Sequence, residues 1–314
     1  MIGEKVGKYK ILEVVGSGSL GIVYKGEDPD GHPVAVKRVR SQILSSMEKR
    51  EQFLRHVLLA SEIRNKCICP VLEIGDEEND FFIIMPLING KTLENYMERR
   101  PLPYVQALDI AEAAGSALCA VHGASGVHRG LKPSNIWILD APKLAVMLSD
   151  CGMATPMDIA ANSGLPNSGR APDFADMHIP QGALAYMSPE QLRGEPLDHR
   201  TDIFSFGVVL YEMLSGRHPF ETGSLPLRIN AILETEPPPL ASKRSQISSR
   251  LESVVRKALA KAPDARYQSM NALLSELQNA RRDDLSMSPQ AKLPVMIRRW
   301  ISQKLYRKSR IRNT

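Results

Sequence analysis

The spacing of apolar residues changes at Asn89-Gly90, and this change limits the fold more than any other feature. Before it lie YKILEVVG, GIVYKGED, PVAVKRV, CPVLEIGD and FFIIMPL. These segments are short, rich in Val and Ile, and separated by Gly, Asp and Pro, the pattern of strands closed by turns. One stretch among them, SSMEKREQFLRHVLLASEIR, repeats Phe53, Val57, Ala60 and Ile63 at helical spacing and predicts a helix. After the change, YVQALDIAEAAGSALCAVHG, DIFSFGVVLYEMLSG, LESVVRKALA and SMNALLSELQNARR all read as helices. Strands first and helices after predict an α+β chain, with a small β-rich lobe followed by a larger α-helical lobe. The segment from Thr155 to Gln181 reads as a loop, and beyond about Arg282 a linker containing Ser and Pro leads into a basic tail. No internal repeat is visible.

The chain has 314 residues, 43% of them hydrophobic, which suits one large or two modest cores. Its four cysteines are too few and too scattered for a disulfide framework. Cys67 and Cys69 lack the second pair or His cluster that would complete a zinc site, so reduced thiols are expected. MIGEKVGKYK has no apolar signal region, and no run of about 18 apolar residues occurs. A cytoplasmic setting is therefore the expectation. The net charge of +5 is uneven, because residues 291–314 hold eight basic side chains and no acids, leaving −3 elsewhere. In that tail Ile297, Trp300, Ile301 and Leu305 share one helical face. An amphipathic helix lying peripherally on an anionic membrane surface, or docked on an acidic protein partner, is expected. Nucleic acid is the least favoured partner, and a solvated terminus the plain alternative.

Gly16-Ser17-Gly18-Ser19-Leu20-Gly21 sits between two strands, where glycines let backbone N–H groups approach a phosphate chain. Alone it reads equally well as a hairpin turn. It is followed by Lys37 in VAVK, His128-Arg129-Gly130, Asn135, Asp150-Cys151-Gly152, Ser188-Pro189-Glu190, Asp202 and Arg266. In that order and at that spacing the set resembles the protein kinase family, in its bacterial serine/threonine type. The resemblance covers about residues 9–281, with a small lobe of about 9–88 and a large lobe of about 89–281. The remainder, 282–314, is linker and tail.

The resemblance implies a bilobal kinase fold with ATP and Mg²⁺ in the cleft. Gly16, Ser17, Gly18 and Gly21 would cover the phosphates, Val23 would roof the base and Ala35 would touch the adenine. Lys37 would pair with the α- and β-phosphates, and Lys132 would sit near the transferred phosphate. Met85 aligns with the gatekeeper, and Pro86 to Ile88 with the hinge. Pro86 lacks an N–H, but that position uses only its carbonyl, and Ile88 keeps its donor. Asn135 and Asp150 would hold the metal. Glu190 and Arg266 would form an ion pair, and Asp202 would brace the catalytic loop.

Three positions depart from the pattern. Gly130 stands where an Asp orients the substrate hydroxyl, and loss of a general base costs about 3–6 kcal/mol of barrier. His56 stands about nineteen positions after Lys37, where a Glu holds the lysine. A neutral imidazole can accept a hydrogen bond from Lys37 but gives it no countercharge, and Glu51 and Glu62 lie on other faces of the helix. Ala183 stands where a Thr hydroxyl would bridge the catalytic Asp and Lys. Softer departures are Trp137 beneath the adenine, which stacks on a base, fills the pocket or simply packs into the lobe, and the small residues Ala60 and Cys151 in the hydrophobic spine. Ser163 and Ser168 lie in a long polar loop where phosphate near Arg129 is conceivable. The expected function is that of a pseudokinase scaffold or regulator with weak ATP binding. An active serine/threonine kinase with an unusual catalytic loop is the rival.

Overall fold

The computed structural model describes residues 2–18, 20–44, 46–77, 80–153, 181–240 and 247–287. The first lobe is an antiparallel sheet of β1 (Lys5–Val6), β2 (Tyr9–Ser17), β3 (Gly21–Glu27), β4 (Pro33–Val39), β5 (Glu73–Glu77) and β6 (Asp80–Pro86), in the order β1-β2-β3-β4-β6-β5. Alternation sorts the side chains of β6. Phe81, Ile83 and Met85 face one helix, α1 (Met47–Ser61), while Phe82 and Ile84 join Ile11, Tyr24 and Val36 on the opposite face. The helix buries Phe53 and Val57 completely and Ala60 partly; it ends at Ser61, so Ile63, though buried, lies past its end and packs with the large lobe. The sequence spacing thus holds for the first three positions of the expected stripe and fails at Ile63.

The second lobe is helical around a small sheet of β7 (Gly90–Thr92), β8 (Ile136–Leu139) and β9 (Val146–Leu148). Its helices are α2 (Leu93–Met97), α3 (Tyr104–Gly123), α4 (Gln181–Leu184), α5 (Pro189–Arg193), α6 (Arg200–Ser215), α7 (Leu225–Glu234), α8 (Ser249–Ala258) and α9 (Met270–Met287). Thr92 caps α2, and a Ser188–Gln191 capping box starts α5. Helix α6 is buried on nearly every side, with Ile203, Phe204, Val208 and Leu214 at most 0% exposed. Gly115 lets α3 approach α9, since a Cβ there would lie 2.6 Å from the Leu274 side chain.

Two expectations are corrected. CPVLEIGD yields a strand only over Glu73–Glu77, because Pro70 interrupts the pattern. Its first residues turn to the other lobe, where the Cys69 amide donates to the Leu148 carbonyl at 2.7 Å. The linker does not begin at Arg282. Helix α9 continues to Met287, held by Arg281 to Asp109 at 2.6 Å and Glu112 at 3.0 Å, and by a Tyr104–Asp284 hydrogen bond. The tail face at Ile297, Trp300, Ile301 and Leu305, together with Ser163 and Ser168, lies outside the described residues.

Candidate functional site

The glycine-rich segment is the β2–β3 hairpin. The Gly18 amide donates to the Gly21 carbonyl at 2.8 Å, and the Arg40 guanidinium reaches the Gly18 carbonyl at 3.2 Å. Gly21 has no room for a side chain, since a Cβ would fall 1.8 Å from the Arg38 carbonyl oxygen. Nothing crowds Gly16 or Gly18, so their freedom serves the open side of the hairpin. Sheet register then lines up the cleft roof, with Val23 opposite Lys37 and Ala35 opposite Met85. Pro86 closes β6, and Leu87 and Ile88 pack against the small-lobe core.

The floor is built from the large lobe. Asp202, fully buried on α6, accepts from the His128 and Arg129 amides and from His122 Nε2, each at 2.8 Å. The Arg129 carbonyl accepts from Gln191 Nε2 at 2.8 Å. These bonds hold Arg129 at φ +65°, a left-handed conformation that a non-glycine residue adopts only when its surroundings impose it. Asp150 at φ +61° is placed likewise. Asn135 Nδ2 donates to the Gly130 carbonyl at 2.8 Å, and the Asn135 carbonyl accepts from the Ser149 amide at 2.9 Å. The segment from His128 to Asn135 is thus held by Asp202, Gln191 and its own Asn135, with no side chain at Gly130.

The charged groups pair differently from the expectation. His56 does not accept from Lys37. Its Nδ1 lies 2.9 Å from Arg129 Nη1, so the imidazole serves as acceptor for the arginine. Burial first, then Arg129 and Arg55, push the His56 pKa down to about 4, keeping the ring neutral. Glu51 and Glu62 are exposed and supply no substitute. The Lys37 ammonium, 6% exposed, instead forms an ion pair with Asp150 Oδ1. Burial works to raise the Asp150 pKa, but Lys37 and then Lys132 outweigh it and hold the carboxyl below its usual range. Burial lowers the pKa of Lys132, partly offset by Asp150.

Trp137 lies on β8 opposite Met147, and its indole N–H donates to Ser149 Oγ at 3.1 Å. The ring is therefore tied to the residue preceding Asp150. This anchor supports pocket filling over mobile stacking. Trp137→Leu is expected to tighten ATP binding roughly tenfold by opening the base pocket; weaker binding in calorimetry would restore the stacking role. Behind α1 a cavity of about 50 Å³ is lined by His56, Ala60, Ile63, Arg129 and Gly152 among others, next to the small spine residue Ala60. Ala183 lies in the single turn α4, and its side chain lies outside what the structure describes.

Glu190 and Arg266 meet below the cleft in a two-pronged pair at 2.6 and 2.7 Å. The same guanidinium donates to the carbonyls of Ala260, Arg200 and Lys261, and Thr201 Oγ1 donates to Glu190 at 2.9 Å. Sequence reasoning missed His122, Gln191 and Ser149 as supports, because nothing local marks a partner that lies on a distant segment.

This two-lobed fold, with its glycine hairpin, buried lysine and braced loop, defines a protein kinase. The chain matches the protein kinase domain family over residues 9–277 and belongs to that family, whose members generally use ATP and Mg²⁺. Relatives that it matches include bacterial serine/threonine kinases. It is 30% identical over 283 residues to the serine/threonine-protein kinase PrkC of Bacillus subtilis, covering 89% of this chain and 42% of the relative. It is 34% identical over 284 residues to serine/threonine-protein kinase A of Synechocystis, covering 85% and 52%. The chain thus spans about half the length of these relatives. The PknI kinase domain of Mycobacterium tuberculosis has the same fold, with a TM-score of 0.70 at 22% identity, over 89% of this chain and 99% of that one.

Proposed function

We propose that this chain is a pseudokinase, a kinase-fold scaffold or regulator that binds nucleotide weakly and transfers little or no phosphate. The observation that carries this reading is the pairing of its charges. The lysine that should be held by a helix carboxylate is held by Asp150, while position 56 offers a neutral imidazole committed to Arg129. In active kinases the lysine–glutamate ion pair and the metal-binding aspartate must both be in place. Gly130 removes the base in addition. The test is a sensitive autophosphorylation assay with Mg²⁺ or Mn²⁺, read against a Lys37→Ala control. Signal at the level of the control is expected. Signal well above it would establish the rival, a working serine/threonine kinase with a non-standard loop.

The tail is proposed to bring this domain to an anionic membrane surface. No helix among the described residues is long and apolar enough to cross a membrane, so the attachment rests on eight basic side chains beside an apolar stripe. Each basic residue near such a surface contributes about 1 kcal/mol, screened over roughly 8–10 Å at ordinary salt. The full chain is expected to sediment with phosphatidylserine vesicles in a salt-sensitive way, and a chain ending at Met287 is expected to stay in the supernatant. Equal sedimentation would refute the role of the tail.

A further inference from the structure

Helix α1 belongs to the small lobe, but its C-terminal half is seated on the large one. The His56 ring meets Arg129 across the lobes, Nδ1 to Nη1 at 2.9 Å. The main chain is just as close. A Cβ added to Gly152, which sits at φ +68°, would lie 2.8 Å from the His56 carbonyl oxygen and 3.3 Å from the Ala60 Cβ. The helix therefore rests directly on the turn that follows Asp150, and a glycine is what fits beneath it. Arg129 is a firm anchor. Its amide donates to Asp202 and its carbonyl accepts from Gln191, each at 2.8 Å, so its side chain starts from a fixed point. Packing around the contact is incomplete. The cavity of about 50 Å³ lined by His56, Ala60, Ile63, Arg129 and Gly152 lies under the same stretch of helix and has room for water. Phe53, edge-on to Phe81 of β6, ties α1 to its own sheet instead. The hydrogen bond thus supplies a hold on the large lobe that close packing leaves unfinished.

We propose that His56 and Arg129 form a latch that pins α1 to the large lobe and holds the two lobes in this arrangement without a nucleotide. The latch is separate from the Lys37–Asp150 pair, since neither of those residues lines the cavity behind α1. Its strength comes from the donor, because a hydrogen bond to a charged group is roughly twice as strong as a neutral one. Burial first, then Arg129 and Arg55, keep the ring neutral and so able to accept. The inference concerns how the lobes are held, and it stands whether or not the chain transfers phosphate.

The experiment is hydrogen–deuterium exchange of the full chain in EDTA without nucleotide, followed in peptides from α1, with peptides from α6 as the internal reference. His56→Ala is expected to speed exchange in α1 about tenfold or more while α6 keeps its wild-type rate. Alanine is the better helix former, so a loss of helix propensity would not account for that result. His56→Asn puts an amide oxygen in the place of Nδ1, still able to accept from Arg129, and is expected to retain most of the wild-type protection. Arg129→Ala is expected to match His56→Ala, and the double variant to add little to either. If Arg129→Ala fails to fold by circular dichroism, the two His56 variants decide the matter by themselves. Wild-type exchange in α1 of His56→Ala would overturn the inference. So would equal acceleration in α1 and α6, which marks general destabilisation, or equal losses in His56→Asn and His56→Ala. Phosphate transfer in the autophosphorylation assay would overturn the pseudokinase reading and leave the latch standing.

Discussion

Gly130→Asp alone is expected to leave phosphate transfer near background, whereas His56→Glu/Gly130→Asp/Ala183→Thr is expected to raise it about 10²-fold or more. The reason is spatial. A carboxylate placed at 130 would enter a wall where Lys37 is already paired with Asp150. His56→Glu alone would meet Arg129, whose Nη1 now lies 2.9 Å from the position 56 ring, before it met Lys37. Without the hydroxyl at 183, the restored Asp would lack its tie to Lys132. Groups that act as a unit respond non-additively, so one repair recovers little while the others are missing. The measurement is phosphate transfer to a generic basic substrate at equal protein loading, with folding checked by circular dichroism. Strong transfer from Gly130→Asp alone would show that His56 and Ala183 are tolerated and would reduce the loss to one residue.

Arg266→Ala is expected to cost about 3–5 kcal/mol, a large share of the roughly 5–15 kcal/mol that holds a domain folded. The Arg266 side chain is 0% exposed and that of Glu190 4%. Removing the guanidinium would strand the Glu190 carboxylate and the carbonyls of Ala260, Arg200 and Lys261 in the interior. It would also take a cation from the face of Phe204, 5.0 Å from the ring centre. Arg266→Met/Glu190→Leu is expected to cost less than Arg266→Ala, since no charge is then left unpaired. Urea unfolding of the two chains checks both statements. A loss below about 1 kcal/mol for Arg266→Ala would mean that the pair contributes no more than a surface ion pair does.

Much of this protein was legible in its sequence because the relevant signals are local. The alternation in FFIIMPL sets which face each residue of β6 presents, and the spacing of Phe53, Val57 and Ala60 sets the covered stripe of α1. The absence of a side chain at Gly130 needs no fold to be seen. Strands of three or four residues, such as β7, β8 and β9, were not legible, since they exist only through pairing with distant segments. The end of α9 was missed for a similar reason, because contacts with α3 carry the helix to Met287.

The sequence by itself determined that the chain folds as a two-lobed kinase, with a strand-rich lobe before Asn89-Gly90 and a helical lobe after it. Only the tertiary structure decided how the remaining charges pair. Arg129 meets His56 across 73 residues of chain, and Lys37 meets Asp150 across 113. Such partners are chosen by distance and by the desolvation each ion must offset once the lobes close, and neither quantity is written into the local pattern of either segment.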